Sequence, residues 1–231
     1  MKKNGFTLAE VLITLAIIGV VATLTLPALM TNTAEQQAKT ALKKGINTLT
    51  EAAQMNQAIN GFDYASLKVA DKNPEAQSLY GLLATRASID YQKSGKGKLA
   101  SAQGGDADVT TNYAVFFRDG SALLFPEDAI SSKIIGAQAS NALQDDGLVY
   151  GIPVIFDTNG AKGPNILSNC SGKALGADSD KLEVGEKQTP EQALTAQCSN
   201  KNRVIKDQFG IRLRGGYVVP NGAAAQWAFN N

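Results

Sequence analysis

The N-terminal run of the chain constrains its fold most strongly. Residues 6–30 are apolar apart from Glu10 and a few threonines, and residues 11–34 contain no charged side chain. As an α-helix, this run would span roughly 38 Å, which is long enough to cross a bilayer. Lys2 and Lys3 stand in front of it, and the positive-inside rule predicts that they stay on the cytoplasmic side.

Three interpretations of this run compete. A secretory signal peptide would have an apolar core of about 7–15 residues and then a small-residue cleavage site, whereas this run is longer and no convincing A-x-A follows it. A plain single-pass anchor fits the length but leaves Glu10 unexplained, because a carboxylate in hydrocarbon is costly. The third interpretation is a segment that serves both a membrane and a protein assembly.

The composition excludes several kinds of active site. The 231 residues suffice for one globular domain plus a terminal segment, or for two small domains. Histidine is absent, which excludes histidine-based triads and histidine-ligated zinc. The 22 basic and 21 acidic residues nearly cancel, so no field of one sign indicates nucleic acid or acidic lipid. No nucleophile–base pair and no glycine-rich phosphate loop is visible, and we expect no enzymatic activity.

The stretch KKNGFTLAEVLITLAIIGVVATLTLP resembles the class III signal and N-terminal helix of type IV prepilins and of type II secretion pseudopilins. The resemblance implies that residues 1–5 are a leader, that prepilin peptidase cuts after Gly5, and that Phe6 is then N-methylated. Glu10 would become the fifth residue of the mature chain. Gly19 and Pro27 match the mid-helix glycine and the downstream proline of the family.

The same resemblance provides a partner for Glu10. In the family, this carboxylate pairs with the N-terminal amine of a neighbouring subunit, here the Phe6 amine, inside a helical filament. A buried carboxylate is tolerable when it is paired, and breaking such a pair costs about 3–5 kcal/mol. We therefore expect Phe6, Glu10, Gly19 and Pro27 to act in assembly. Pro27 should kink or loosen the helix, either where the helix leaves the membrane or as part of the assembly contact.

The helix is predicted to continue beyond the membrane as an amphipathic helix. Its apolar positions are Ala38, Leu42, Ile46, Leu49, Ala53 and Ile59. The charged residues expected elsewhere on the wheel are Lys39, Lys43, Lys44 and Glu51. Asn60-Gly61 indicates the end of the helix, so the sequence predicts one continuous helix of about 55 residues.

The later sequence predicts an antiparallel sheet. Two stretches are typical of β-hairpins. One is NYAVFFRDGSALLFP, with its turn at Asp119-Gly120, and the other is residues 207–220, with its turn at Gly215-Gly216. Residues 148–157 indicate a third strand. A sheet laid on the apolar face of a long helix makes an α+β fold, which is also the type IV pilin-like fold that the resemblance implies. Residues 74–87 indicate a short helix, and the tail NGAAAQWAFNN has no clear assignment.

The predicted organisation is a leader peptide, a transmembrane and assembly helix, and a pilin globular domain. Their ranges are 1–5, 6–30 and 31–231, with the amphipathic helix at 31–60, a connecting loop at 61–112, and the sheet and C-terminal disulfide region at 113–231.

Two cysteines, Cys170 and Cys198, occur late in the chain. In a segment moved out of the reducing cytoplasm, a disulfide is expected, and closing such a loop contributes about 3–4 kcal/mol in the chain-entropy model. Two buried free thiols are the alternative. In type IV pilins, a C-terminal disulfide encloses a variable surface region. Most pseudopilins lack that bridge, so the resemblance makes the cysteines favour a pilus over a secretion system.

Two weaker signals remain. DTNGAKGPN, at residues 157–165, offers Asp157, Asn159 and Asn165 as calcium ligands, with Asp207 as a distant fourth, and a major pseudopilin of type II secretion carries calcium in its C-terminal loops. The stretch lacks the EF-hand pattern, and a structural Asx-Gly turn is the preferred interpretation, so no cofactor is expected. Three lysines in a glycine-rich loop could touch DNA phosphates but give no firm nucleic-acid signal; they are Lys93, Lys96 and Lys98.

The sequence thus predicts a structural pilin subunit that forms a homo-oligomeric filament with other pilins or minor pilins. Prepilin peptidase and the inner-membrane assembly machinery are its expected partners. It would be a single-pass inner-membrane precursor and then part of an extracellular pilus or a periplasmic pseudopilus, supporting adhesion, motility or DNA uptake. The alternatives are a pseudopilin of type II secretion and a membrane-tethered binding or adhesin domain that does not polymerise.

Overall fold

The structure is a computed structural model. It describes residues 5, 7–68, 77–96, 112–126, 151–160, 162, 165–170, 198–199 and 201–231. The chain divides into two compact units, Met1–Gln37 and Ala38–Asn231. The helices are α1 (Leu8–Asn60), α2 (Leu79–Arg86) and α3 (Ala223–Asn230), with a 3-10 turn at Tyr64–Ser66. The strands are β1 (Gly95–Lys96), β2 (Asn112–Phe116), β3 (Ala122–Pro126), β4 (Ile152–Asp157), β5 (Gln208–Arg214) and β6 (Tyr217–Pro220).

The long helix predicted from the sequence is confirmed as α1, with 53 residues. It ends where expected, because Gly61 takes a positive φ of 75° and its N–H donates to the Gln57 carbonyl at 3.1 Å. A glycine in this conformation is a common helix stop. Pro27 lies inside α1, and the helix continues through it without a break.

The second part of α1 buries an apolar face in the core of the Ala38–Asn231 unit. The buried positions include five of the six predicted ones: Ala38, Leu42, Ile46, Leu49 and Ala53. The prediction was wrong for Ile59, which is 64% exposed. Ile59 lies beyond Asn56, whose side-chain amide donates to the Phe62 carbonyl at 2.7 Å and holds the chain where it turns back. The buried face of the helix therefore ends one turn earlier than the sequence pattern does.

The six strands form one antiparallel sheet in the order β1 to β6. Both predicted hairpins are present, with Val115 opposite Leu123 in the first and Leu213 opposite Val218 in the second. At the first turn, the Asp119 carboxylate accepts hydrogen bonds from the Ser121 N–H at 3.1 Å and the Ser121 hydroxyl at 2.6 Å. The predicted third strand is β4, which lies between β3 and β5.

The short helix predicted at residues 74–87 is confirmed in part as α2 (Leu79–Arg86), whereas strand β1 was not predicted in this region, which was expected to be a connecting loop. Helix α2 begins at Leu79, where the Ser78 hydroxyl caps it by accepting from the Gly81 N–H at 2.8 Å. Strand β1 pairs with β2, and Ser94 anchors it by accepting from the Phe116 N–H at 2.9 Å. The remaining residues of the predicted connecting loop, 69–76 and 97–111, lie outside the described residues, and so does the start of the predicted short helix.

The tail that had no predicted structure is helix α3. Its alanines are strong helix formers, and Ala224, Ala225 and Ala228 are buried. The Trp227 ring lies between two cations, with Lys39 Nζ and Arg203 Cζ each 3.9 Å from its centroid. This contact explains why Lys39 is only 6% exposed, although the sequence pattern placed it away from the buried face.

Candidate functional site

The N-terminal end of α1 is closed by a capping box formed by Thr7 and Glu10. The Thr7 backbone N–H and hydroxyl both donate to Glu10 Oε2 at 2.8 Å, and the Glu10 N–H donates to the Thr7 hydroxyl at 3.3 Å. Helix α1 starts at Leu8, so Thr7 is the N-cap and Glu10 the third helical residue, which is the spacing of this motif. The Glu10 carboxylate thus has a local role within its own helix, and its negative charge also suits the helix N-terminus.

The helix behind this cap presents an apolar surface along its first part. Helix α1 is long and apolar enough to cross a membrane, and none of its most apolar window is buried within the chain. The exposed apolar side chains include Leu8, Leu12, Ile13, Ile17 and Ile18. An apolar surface of this size requires lipid or protein around it.

The threonines in this surface satisfy their hydroxyl groups within the helix. Thr14 donates to the Val11 carbonyl at 2.9 Å, and Thr25 donates to the Val21 carbonyl at 3.0 Å. Thr23 donates to the carbonyls of residues 19 and 20 at 3.0 and 2.9 Å. Because every such hydroxyl has a backbone partner, these residues can enter an apolar environment at little cost.

Gly19 and Pro27 each lack a group that other residues supply to a helix: glycine has no side chain, and proline has no backbone N–H. A Cβ built at Gly19 would have no described atom within 4 Å other than those of the adjoining turns of its own helix, so no contact with another part of the subunit requires the glycine. Pro27 has no N–H to donate to the Thr23 carbonyl one turn earlier. Glycine and proline both lower the stability of a helix interior, and for Gly19 no contact in the described part of the chain requires the glycine.

The C-terminal disulfide is confirmed between Cys170 and Cys198, whose Cα atoms are 5.1 Å apart. Next to Cys170, Asn169 and Val204 exchange two backbone hydrogen bonds of 2.9 Å. On the other side, the Ser199 N–H donates to Asn202 Oδ1 at 2.7 Å. Both ends of the bridge are thus fixed to the segment that leads into β5. Residues 171–197, between the cysteines, lie outside the described residues.

Residues 1–26 match the family model of the prokaryotic N-terminal methylation motif. The chain carries a prepilin-type cleavage and methylation segment. This segment is the one found in type IV pilins and pseudopilins, and the long N-terminal helix, antiparallel sheet and disulfide make an α+β, pilin-like fold. No curated protein and no solved structure matches the chain.

The prepilin-type segment includes every predicted processing residue. Gly5 is exposed just before the cap, while Phe6 lies outside the described residues. The capping box was missed in the sequence, although the letters TLAE at residues 7–10 carry its T-x-x-E spacing. This spacing predicts a local partner for Glu10, in addition to the partner in another subunit that the resemblance implies.

The four residues considered for calcium come together at the end of β4. Asp207 accepts from the backbone N–H groups of Asn165 at 2.6 Å and Ile166 at 2.8 Å, and from the Asn159 side-chain amide at 3.2 Å. Asp157 accepts from the N–H groups of residues 159 and 160 at 3.0 and 2.8 Å. Both carboxylates are buried and accept hydrogen bonds from N–H donors, as in a structural turn. The described residues contain no group of three or more acidic or cysteine side chains arranged for a metal ion.

Burial raises the pKa of the Asp157 carboxyl to about 7. The neighbouring Asp207 acts in the same direction, while the hydrogen bond from Gln208 Nε2, at 2.9 Å, and those from the loop N–H groups act against it. The end of β4 therefore holds a carboxyl group that titrates near neutral pH.

Of the three lysines considered for DNA contact, the structure describes the side chain of Lys93 alone. Lys93 is exposed and lies 3.5 Å from the Asp90 carboxylate. Lys96 belongs to the edge strand β1, and Lys98 lies outside the described residues.

Proposed function

We propose that this chain is the precursor of a type IV pilin that polymerises through its N-terminal helix. Prepilin peptidase removes residues 1–5 by cutting after Gly5, and Phe6 is then N-methylated. The observation that carries the proposal is the methylation motif at residues 1–26, with Glu10 fifth after the cut. The exposed apolar part of α1 supports a membrane-anchored precursor, since that surface requires lipid before assembly.

In this proposal, Glu10 gains a second partner on processing. Before cleavage, it holds the capping box with Thr7. Cleavage creates a positive amine at Phe6, and a neighbouring subunit presents that amine to Glu10 in the filament. Both hydrogen bonds from Thr7 reach Oε2, and the second carboxylate oxygen is suited to accept the ammonium group of a neighbour. The cap also fixes the direction of the carboxylate before the neighbour arrives, which lowers the entropy cost of pairing.

The filament supplies the function of the protein. Head-to-tail contacts between α1 helices do not close, and contacts of that kind generate an open helical fibre. Adhesion, motility or DNA uptake then arises from the fibre, with other pilins or minor pilins as partners, and the chain has a structural role without a cofactor. Gly19 and Pro27 allow close approach and bending where helices meet. The hydrogen bonds that Asp157 and Asp207 accept from the loop support a structural turn there.

A substitution that separates the cap from the charge tests this proposal. Glu10→Gln keeps a side chain that can complete a capping box but cannot pair with an amine as an ion. We expect this variant to be made and cleaved normally, and to yield few or no sheared filaments. Glu51→Gln removes one exposed acid from the other part of α1 and should leave filaments intact. Normal filaments from Glu10→Gln would contradict the proposed pairing.

The second candidate is a pseudopilin of type II secretion, since the methylation motif occurs in both groups. The Cys170–Cys198 disulfide favours the pilin. Finding this subunit as the bulk of sheared surface fibres at its native expression level supports the pilus. Finding it confined to the periplasm, together with loss of protein secretion when it is deleted, supports the pseudopilus. A membrane-tethered domain that does not polymerise would give neither result.

A further inference from the structure

A cavity of about 520 Å³ lies in the Ala38–Asn231 unit, and none of its described lining residues belongs to the prepilin-type segment. Helix α1 contributes one wall around Lys44 and Thr48, the end of α2 contributes Arg86 and Ser88, and the β2–β3 turn contributes Arg118. Backbone hydrogen bonds fix these walls together. The Arg118 N–H donates to the Ser88 carbonyl at 2.9 Å, and the Asp90 N–H donates to the Phe116 carbonyl at 2.7 Å.

The lining of the cavity carries an excess of positive charge. Three cationic side chains line it, and Asp119 is the one acidic residue among the described lining residues. That carboxylate is already engaged, since Lys44 Nζ lies 2.8 Å from it and Ser121 donates two further hydrogen bonds. Burial raises the pKa of Asp119, but the hydrogen bonds from Lys44 and Ser121 outweigh burial and hold this pKa below its usual value. Asp119 therefore neutralises one cation and leaves Arg86 and Arg118.

Arg86 has the feature that points most directly to a ligand. Its Nε atom is buried and has no hydrogen-bond partner among the described residues. The guanidinium makes one long hydrogen bond, from Nη1 to the Thr85 carbonyl at 3.3 Å. A buried donor without an acceptor is unfavourable, and a guanidinium edge is matched in geometry by a carboxylate or phosphate.

The floor of the same cavity is apolar. Leu49, Phe117 and Phe156 line it and are almost fully buried, and the Phe156 ring packs directly on Gly45. We propose that the cavity binds a small organic anion, with its carboxylate or phosphate between Arg86 and Arg118 and its ring on the apolar floor. Thr48, Ser88 and Ser121 supply hydroxyl groups at the side. The volume falls within the range of about 300–1,000 Å³ that is typical of small-molecule sites. The lining residues include none of the residues proposed for cleavage or for pairing between subunits.

The full-length chain in detergent micelles, labelled with ¹⁵N-arginine, tests the proposal. The Arg86 Nε–H signal is assigned by its loss in Arg86→Lys. Phenyl phosphate and benzoate are then titrated as probes. Inorganic phosphate and phenol, which are the anionic part and the ring part of phenyl phosphate, are titrated for comparison. We expect saturable shifts of the Arg86 signal with a Kd of about 1 mM or tighter for at least one ring anion. Inorganic phosphate and phenol should each bind at least about tenfold more weakly, because each lacks one part of the contact.

Two matched variants keep the test independent of folding. Arg118→Gln changes an exposed residue of the β2–β3 turn and should weaken binding about tenfold or more. Lys206→Gln makes the same change in charge at an exposed residue outside the cavity and should leave binding unchanged. A tighter Kd for phenyl phosphate assigns phosphate esters, and a tighter Kd for benzoate assigns carboxylic acids. Absence of saturation at about 10 mM, or equal binding by Arg118→Gln and the parent, would overturn the proposal.

Discussion

Glu10 closes the first turn of α1 through Thr7 and, in the proposed function, also pairs with a neighbouring subunit. The hydrogen bonds with Thr7 keep the first turn of α1 closed in the precursor. The ion pair proposed for the filament requires an amine that exists only after cleavage. Thr7 and Glu10 can therefore be varied separately: Thr7 for the cap, and the charge of Glu10 for the pairing.

Thr7→Ala should open the first turn of α1 while leaving the charge of Glu10 in place. Loss of an N-cap side chain costs about 1 kcal/mol, which corresponds to about a fivefold increase in local opening. Hydrogen exchange at the Glu10 and Val11 N–H groups of the full-length chain in micelles measures this opening. Thr7→Ser retains the hydroxyl and should exchange like the parent chain. Equal exchange in the alanine and serine variants would contradict the capping role.

Asp157 makes the stability of the Ala38–Asn231 unit depend on pH. Its pKa is about 7 in the folded chain and about 3.9 in an unfolded chain, so the folded state binds more protons between these values. The free energy of unfolding should therefore fall as the pH rises from about 4 to about 7, by up to about 4 kcal/mol. Denaturant unfolding, followed by fluorescence of the single Trp227, measures this fall.

Asp157→Asn is the matched control for this pH dependence. The amide oxygen can accept the same two loop hydrogen bonds, and the Gln208 amide can turn to accept from the new NH2 group in place of the bond it now donates, but the asparagine does not titrate. The variant should lose most of the slope between pH 4 and pH 7, and it should be more stable than the parent at pH 8. Identical slopes in the two proteins would show that Asp157 does not cause the pH dependence.

The elements differ in how far they could be predicted, and the differences have physical causes. Helix α1 and the two hairpins carry their own signals, since period and turn residues are local properties of the sequence. Strand β1 could not be predicted from its two residues, because it exists only through pairing with Ala114 and Tyr113. Helix α3 depends on Lys39 and Arg203 at Trp227, and both are distant in sequence from that ring.

The candidate sites follow the same division. The processing segment was predictable because its residues are contiguous, whereas the cationic cavity combines α1, α2 and the β2–β3 turn. The four residues at the end of β4 were grouped correctly from the sequence. The assignment of their hydrogen bonds to a structural turn required the positions of the backbone N–H donors.

Packing between α1 and β4 depends on the absence of a side chain at Gly45. A Cβ there would collide with the Phe156 ring, and overpacking of this kind costs about 1–3 kcal/mol. Gly45→Ala should therefore lower the free energy of unfolding by about that amount, although alanine favours helix. The double variant Gly45→Ala/Phe156→Leu should recover part of the loss.

Gly19→Ala is the control for this packing effect, because a Cβ at residue 19 has open space within the subunit. It should leave unfolding of the Ala38–Asn231 unit unchanged. Equal destabilisation by the two glycine variants, or no recovery in the double variant, would contradict the close contact between Gly45 and Phe156.

The whole chain combines a segment for processing and assembly with a disulfide-bonded α+β unit. The Met1–Gln37 unit contains the methylation motif, and the Ala38–Asn231 unit contains the sheet, the disulfide and the cationic cavity. In the proposed function, proteolytic processing is the switch between stored precursor and polymerising subunit, because it removes the leader and creates the amine that pairs with Glu10.

The intact mass of the protein purified from its native envelope tests the proposed processing. We expect a chain that lacks residues 1–5, carries one added methyl group at Phe6, and is two hydrogens lighter because of the Cys170–Cys198 disulfide. Fragmentation of the N-terminal peptide locates the methyl group. A mature chain that retains residues 1–5, in cells that process other prepilin-type proteins, would contradict cleavage after Gly5 and the pairing of Glu10 that depends on it.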